Sequence, residues 1–284
     1  MRRADGASPS FVHTMETEFI HLCQPDGEKS CGACCGLYNY ADSRQEALER
    51  RLRRRTRLFR ETVRGPADLS AFSERIRREE DPAKRYEVIY CCEYLGFLDA
   101  GERRVGCLLH PCQNGGEDLR GVSFYGKELC EGHLCPSYHY ISREEKRALI
   151  EIIDDWYLFG LVVTDIDLVK EYFRLVSEAL GEMPPHGRFR DPRLRGAALR
   201  FFRLKVDWPF RSADTNRFGK YYFDGSQYMI RPIDYGALGS EKSRYDRIFM
   251  SLTSVFQDNR ALRKAEEIME ETLREFIAAY TGKH

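Results

Sequence analysis

Apolar side chains recur at helical spacing through most of this chain, and the intervals between them name the elements. Leu48, Leu52, Phe59 and Val63 fall on one face of a helix over Glu46 to Val63, opposite a side dense in arginine. Gly65-Pro66 ends it, and a second short, charged helix over Leu69 to Arg78 is closed by Asp81-Pro82. Tyr94 to Leu98 and Val105 to Leu109 flank a turn at Asp99-Ala100-Gly101, which predicts a hairpin ending near Cys107. From Gly115-Gly116 to Gly132 the chain reads as loop.

The second half is more regularly patterned. Ser142 and Glu145 form a capping-box pair that opens a helix running to about Phe159. Thr164 with Asp167 opens another, to Leu180, where Gly181 stops it. Asp191-Pro192 places a cap before proline at the first helical position, starting a helix through Phe201 and Leu204. Lys220 to Phe223 and Ser226 to Ile230 flank Asp224-Gly225, a strong hairpin signal. Helices over about Arg244 to Phe256 and Arg260 to Tyr280 follow. The aromatic-rich run from Phe201 to Tyr235 reads as core before it reads as a pocket.

The fold class expected is mainly α with small β-hairpins (α+β). It divides into a disordered N-terminus over 1–19, a cysteine-rich metal-binding module over 20–140 and a mainly helical C-terminal domain over 141–284. A length of 284 residues with 42% hydrophobic composition supports such cores. The 45 basic and 45 acidic side chains cancel, which removes a global field for nucleic acid or an anionic membrane. Between Arg44 and Arg64, however, nine arginines face three glutamates. That local excess either contacts phosphate or an acidic partner, or forms a solvated, ion-paired helix face, and no RNA-binding aromatic motif accompanies it. Trp156 to Val163, the longest strongly apolar stretch, is far short of the ~20 residues that span a bilayer. With no secretory signal in the polar N-terminus, the expected location is cytoplasmic.

A reducing compartment leaves thiols for metal binding or catalysis rather than disulfides. All ten cysteines lie at or before Cys135. Cys31 and Cys34 have the two-residue separation that lets two thiolates turn toward one ion. Cys35 follows directly, and adjacent side chains point apart, which suggests a second metal or a polynuclear cluster. Cys107 with Cys112 and Cys130 with Cys135 supply two more pairs, and Cys91-Cys92 one or two further ligands. The metal ligands favoured are Cys31, Cys34, Cys35, Cys92, Cys107, Cys112, Cys130 and Cys135, with Cys91 and Cys23 in reserve. His110 and His133 lie close enough in sequence to replace a sulfur, although the plainer reading makes both ordinary hydrogen-bonded histidines. The cofactor is zinc or an iron–sulfur cluster, because tetrahedral thiolate sites suit both.

These residues resemble the CxxCxxCC, or YkgJ-type, cysteine-cluster family, described as a zinc- or iron-chelating domain, over about Cys23 to Cys135. The likeness rests on Cys31, Cys34 and Cys35, on Cys92-Glu93-Tyr94-Leu95, and on Gly106-Cys107-Leu108-Leu109-His110-Pro111. Glu28 stands where the motif's first cysteine belongs, so that ligand is either lost or supplied by Cys23. His110 replaces the family's arginine, and Asn114 occupies the place of its next cysteine, whose task falls to Cys112, Cys130 or Cys135. The resemblance implies metal chelation and leaves the biological role undefined. One alternative is an iron–sulfur-dependent enzyme, redox or protein-modifying, as in flagellin lysine methylases that carry a similar cluster. Another is a zinc-built scaffold that binds protein or RNA through the arginine-rich helix.

Overall fold

The computed structural model describes residues 19–212 and 232–282, together with the backbone of residues 223–224 and 227–228. The expected disordered N-terminal segment, apart from Phe19, and most of the aromatic run beyond Arg211 lie outside the described residues. The fold is mainly helical with two small antiparallel hairpins, as the periodicity predicts. In the first half stand α1 (Gln45–Thr62), α2 (Leu69–Glu79) and the hairpin of β1 (Leu95–Phe97) with β2 (Val105–Cys107), in which Leu95 pairs with Cys107. Two short helices follow, α3 (Gly126–Gly132), inside the stretch expected as loop, and α4 (Pro136–Tyr140), beyond it, where no element was expected. The chain continues through α5 (Arg143–Ile152), α6 (Trp156–Val163), α7 (Ile166–Leu180) and α8 (Pro192–Asp207). A hairpin of β3 (Phe223–Asp224) and β4 (Gln227–Tyr228), then α9 (Asp246–Ser251) and α10 (Asn259–Thr281), complete it.

Three helix boundaries depart from the sequence reading, each for a local reason. The helix opened by the Ser142–Glu145 capping box does not run to Phe159; it stops at Ile152, and Asp155 caps a new helix by accepting from the Leu158 amide at 2.7 Å. The cap of α7 is Asp165, which accepts from the Leu168 amide, whereas the Thr164 hydroxyl donates back to the Gly160 carbonyl at 2.8 Å. The helix expected over Arg244 to Phe256 shortens to α9, because Thr253 takes a φ of 55° and the chain then pairs with Arg211 through Ser254. At Asp191-Pro192 the cap is the one expected.

Apolar burial gathers into three neighbouring cores. The largest joins α5 to α10; in it the Tyr172 ring meets Phe201 at 4.6 Å and Phe202 at 4.7 Å. Within that core a buried ion pair, Lys205 to Asp165 at 2.5 Å, ties α8 to the cap of α7, and the Lys205 ammonium also donates to the Ser251 carbonyl. A second core gathers Leu37, Tyr38, Leu48, Leu52, Phe97 and Val105, and a third holds Leu58, Leu69, Phe72, Ile76 and Tyr94.

Helix α6 is buried along its whole length and serves two cores at once. Leu158, Phe159, Val162 and Val163 face the C-terminal core, while Trp156, Tyr157 and Leu161 belong to the second. Each such large apolar side chain contributes about 1.5–3 kcal/mol on full burial. Gly160 permits the second contact: any Cβ there would collide with the Tyr38 hydroxyl, which donates to the Tyr157 carbonyl at 3.1 Å. Among the described residues no helix is long and apolar enough to cross a membrane.

Candidate metal centre

All ten cysteines lie among the described residues, and each is a free thiol. Cys34 and Cys35 sit on a 3-10 turn, Ala33–Cys35, ended by Gly36 in the left-handed region, with Cys31 two residues before it. Three residues per turn set neighbouring side chains roughly 120° apart and return residue i+3 to the face of residue i. The side chains of Cys34 and Cys35 therefore diverge, while Cys31, just before the turn, is a sulfur neighbour of Cys34. The turn is held from several directions. The Ser30 hydroxyl accepts from the Val105 amide, the Cys31 amide donates to the Cys23 carbonyl at 2.8 Å, and the Cys92 amide donates to the Cys35 carbonyl at 2.9 Å. Asn39, fully buried, donates to the Tyr86 and Ile89 carbonyls and so fastens the Tyr86–Ile89 loop beside the turn.

On one side of the turn, Cys23, Cys31, Cys34 and Cys135 lie near enough to act on one another electrostatically. Cys34 donates a hydrogen bond to Cys135, which raises the Cys34 thiol and holds Cys135 below the ordinary thiol range, helped by the Ser137 and Tyr138 amides at the start of α4. Burial pushes Cys31 well above its usual value, and charge on Cys23 and Cys135 would add to that. Burial takes Cys23 up to about 11, with Cys135 again its sulfur neighbour.

On the other side stand Cys35, Cys92, Cys107 and Cys130. Cys92 is buried in the third core, with Cys35 and Cys107 packed against the same cluster. Burial drives Cys35 well above the thiol range, and Cys92, Cys107 and Cys130 all bear on it electrostatically, as does Cys23 across the turn. Burial likewise lifts Cys92 to about 12 and Cys107 to about 11. Strand β2 places Cys107, the segment before β1 places Cys92, and α3 brings Cys130, whose sulfur lies 3.5 Å from the Ser123 hydroxyl.

Both quartets are neighbourhoods of sulfur rather than finished tetrahedra: among the described residues no group of three His, Cys, Asp or Glu side chains already stands in metal-binding geometry. The chemistry of the donors nevertheless fits a soft cation. Clustered thiolates repel one another, and burial already raises Cys23, Cys31, Cys35, Cys92 and Cys107, whereas a cation that replaces the protons removes that repulsion.

The remaining candidates fall elsewhere. Cys112 is exposed on the 3-10 turn Pro111–Gln113, with its amide donating to His110 Nδ1. Cys91 lies beside the first group, 3.3 Å from the Gly36 carbonyl and 3.8 Å from the Asn39 amide nitrogen. Glu28, at the motif's first position, pairs with Arg103, and Cys23 takes a place among the sulfurs instead. Asn114 donates to the Leu108 and His110 carbonyls, so it shapes the loop after β2. His133 is exposed, and burial with the nearby Arg120 keeps His110 below its usual range. No family model, curated protein or solved structure matches this chain.

Gly36 sets the spacing between the two groups. Its φ is 78°, and a Cβ would strike the Tyr90 carbonyl and come within 2.8 Å of Cys91 Cα. Gly36→Ala therefore meets a backbone penalty of about 1–3 kcal/mol and a clash that only separation of the Cys35 and Cys92 segments relieves. The expected result is a lowered melting temperature together with weaker metal retention; a variant that melts and binds like the parent would contradict this.

Proposed function

We propose that this chain is a metal-binding protein of a reducing compartment that grips two centres, zinc or iron–sulfur, one in each cysteine quartet. The observation that carries the reading is the difference in sulfur neighbours between adjacent Cys34 and Cys35: Cys34 has Cys135, Cys31 and Cys23, while Cys35 has Cys92 and Cys107 first, then Cys23 and Cys130. A single mononuclear site has no use for both, and eight sulfurs drawn from segments up to 112 positions apart, Cys23 to Cys135, converge on one small region. The likeness to the YkgJ-type cysteine-cluster family supports the same chemistry.

The arginine-rich helix lends little to a nucleic-acid scaffold. Arg51 pairs with Glu80 at 2.5 Å, Arg53 with Glu102 at 2.6 Å, Arg54 with Glu79, and Arg55 with Glu80 at 2.7 Å. Side chains committed to carboxylates release fewer counterions on meeting phosphate.

Anaerobic purification, elemental analysis and a visible spectrum test the proposal. Two equivalents of zinc in colourless protein support structural sites. Iron with inorganic sulfide and a brown colour supports clusters and the enzyme reading. Protein free of any transition metal, when isolated from metal-replete cells, overturns both.

A further inference from the structure

Each quartet has its own surroundings, and those of the second are built from two buried arginines. Arg55, 2% exposed, donates from Nη1 to the Cys92 carbonyl at 2.9 Å; Arg120, 8% exposed, donates from Nη1 to the Cys130 carbonyl at 3.2 Å. Each guanidinium is held on its other edge. Glu80 and the Tyr40 hydroxyl grip Arg55, and Asp118 grips Arg120 through both oxygens, at 2.8 and 2.7 Å. Two ligand-bearing backbones are thus fixed by planar forks that cannot rotate.

The charge count favours an anionic centre. Glu80 is shared by Arg55 and Arg51, which leaves that assembly a surplus positive charge, whereas Arg120 and Lys127 share Asp118 with Glu131 also acting on Arg120, so there the guanidinium's own position, close to the Cys130 backbone, is what counts. Glu93, beside Cys92, is answered by Arg77 and the Tyr90 hydroxyl. A divalent ion with four thiolates is net negative, as is a common cubane cluster with the same ligands. The first quartet is bordered instead by the Lys146 ammonium, which donates to the Tyr138 carbonyl at 2.6 Å, and by helix amides.

We infer that Arg120, clamped by Asp118, and Arg55, clamped by Glu80, are positioning residues that orient the Cys130 and Cys92 ligands and offset the charge of the metal–thiolate centre in the second quartet. This rests on the metal-binding reading above. Outer groups of this kind typically change metal affinity 10–100-fold when removed.

The test uses the full chain carrying Cys34→Ser, which confines binding to the second quartet, with Co(II) as probe. Affinity is read by chelator competition and ligand geometry by the thiolate-to-cobalt absorption. Adding Arg120→Met is expected to weaken Co(II) binding at least tenfold and to alter the absorption, and Arg120→Lys, which keeps the charge, is expected to restore much of the affinity. Asp118→Asn, close to the native shape, loosens the clamp on Arg120 without removing its charge and is expected to alter the thiolate-to-cobalt absorption, which keeps the inference open to test if Arg120→Met folds poorly. An Arg120→Met affinity within twofold of the Cys34→Ser parent, or an unchanged absorption in Asp118→Asn, would overturn it, as would a lysine variant no tighter than the methionine one. If the Cys34→Ser parent binds no cobalt at all, the underlying metal reading of this quartet has failed instead.

Discussion

Exhaustive chelation under reducing conditions is expected to loosen the cysteine-bearing half of the chain while the core of α7, α8 and α10 stays folded. A structural thiolate site contributes on the order of 10 kcal/mol to folding, and the net stability of a whole domain is only about 5–15 kcal/mol. On the metal-binding proposal the first half draws on such support, because its two cores are small, with Cys92 inside one and Cys31, Cys35 and Cys107 packed against them. The C-terminal core needs no sulfur for its Tyr172, Phe189, Phe201, Phe202 and Phe276 cluster.

The two tryptophans report on the two regions separately. Trp156 packs in the second core, its ring 6.0 Å from Phe97, and Trp208 stacks on Phe249 in the large one. In Trp208→Phe protein, chelation should shift the remaining Trp156 emission strongly to the red. In Trp156→Phe protein, Trp208 should shift little. Helix α6 belongs to both cores, so some loss of C-terminal melting temperature is also expected, smaller than the change at Trp156. Unchanged Trp156 emission after complete metal removal would show that the first half stands without a cation.

Much of this arrangement can be read from the sequence wherever one residue type has one local task. Ser142 with Glu145, Asp191-Pro192 and Gly181 mark their helix ends because each satisfies backbone groups within a few residues. The hairpin signal at Asp224-Gly225 is answered by the antiparallel pairing of Phe223 with Tyr228 and of Asp224 with Gln227. The break between α5 and α6 is harder to see, since Ile152, Ile153 and Trp156 continue an apolar run and only Asp155 interrupts it. Helices α3 and α4 are too short to show a period, and Cys130 and the Cys135 cap tie them to the sulfurs.

The same distinction divides the cysteines. Cys31, Cys34 and Cys35 declare themselves by spacing, but Cys23 is eight positions from Cys31 and joins through a backbone hydrogen bond that no short motif encodes. Cys112 is the reverse case. Its spacing from Cys107 suits a ligand pair, yet Pro111 starts a 3-10 turn that carries its side chain to the surface. The arginines are a third instance: as a sequence they are a positive run, and only folding reveals Glu79, Glu80 and Glu102 against them.

Cys34→Ser and Cys35→Ser, one position apart, are expected to lose different metals. A seryl oxygen is a poor substitute for a thiolate, so each change should empty its own quartet and leave the other filled. Metal content should fall to about half in either variant and to near zero in the double variant, because a structural tetrahedral site uses four ligands. Cys23→Ser should behave like Cys34→Ser, since burial and the Cys135 neighbour place it in that group. Cys107→Ser should behave like Cys35→Ser, and the exposed Cys112→Ser should retain full content. The stability losses should differ in place as well as in metal. Cys35 packs against both first-half cores, so its loss should affect Trp156 and the α1–α2 region together. Cys31 touches the C-terminal core as well as the second, so emptying its quartet through Cys34→Ser should be felt on the α5–α6 side. The competing picture, one polynuclear centre bridged by adjacent sulfurs, makes the opposite forecast: either single serine would remove all the metal at once. Elemental analysis of the five single variants and the double variant decides between them.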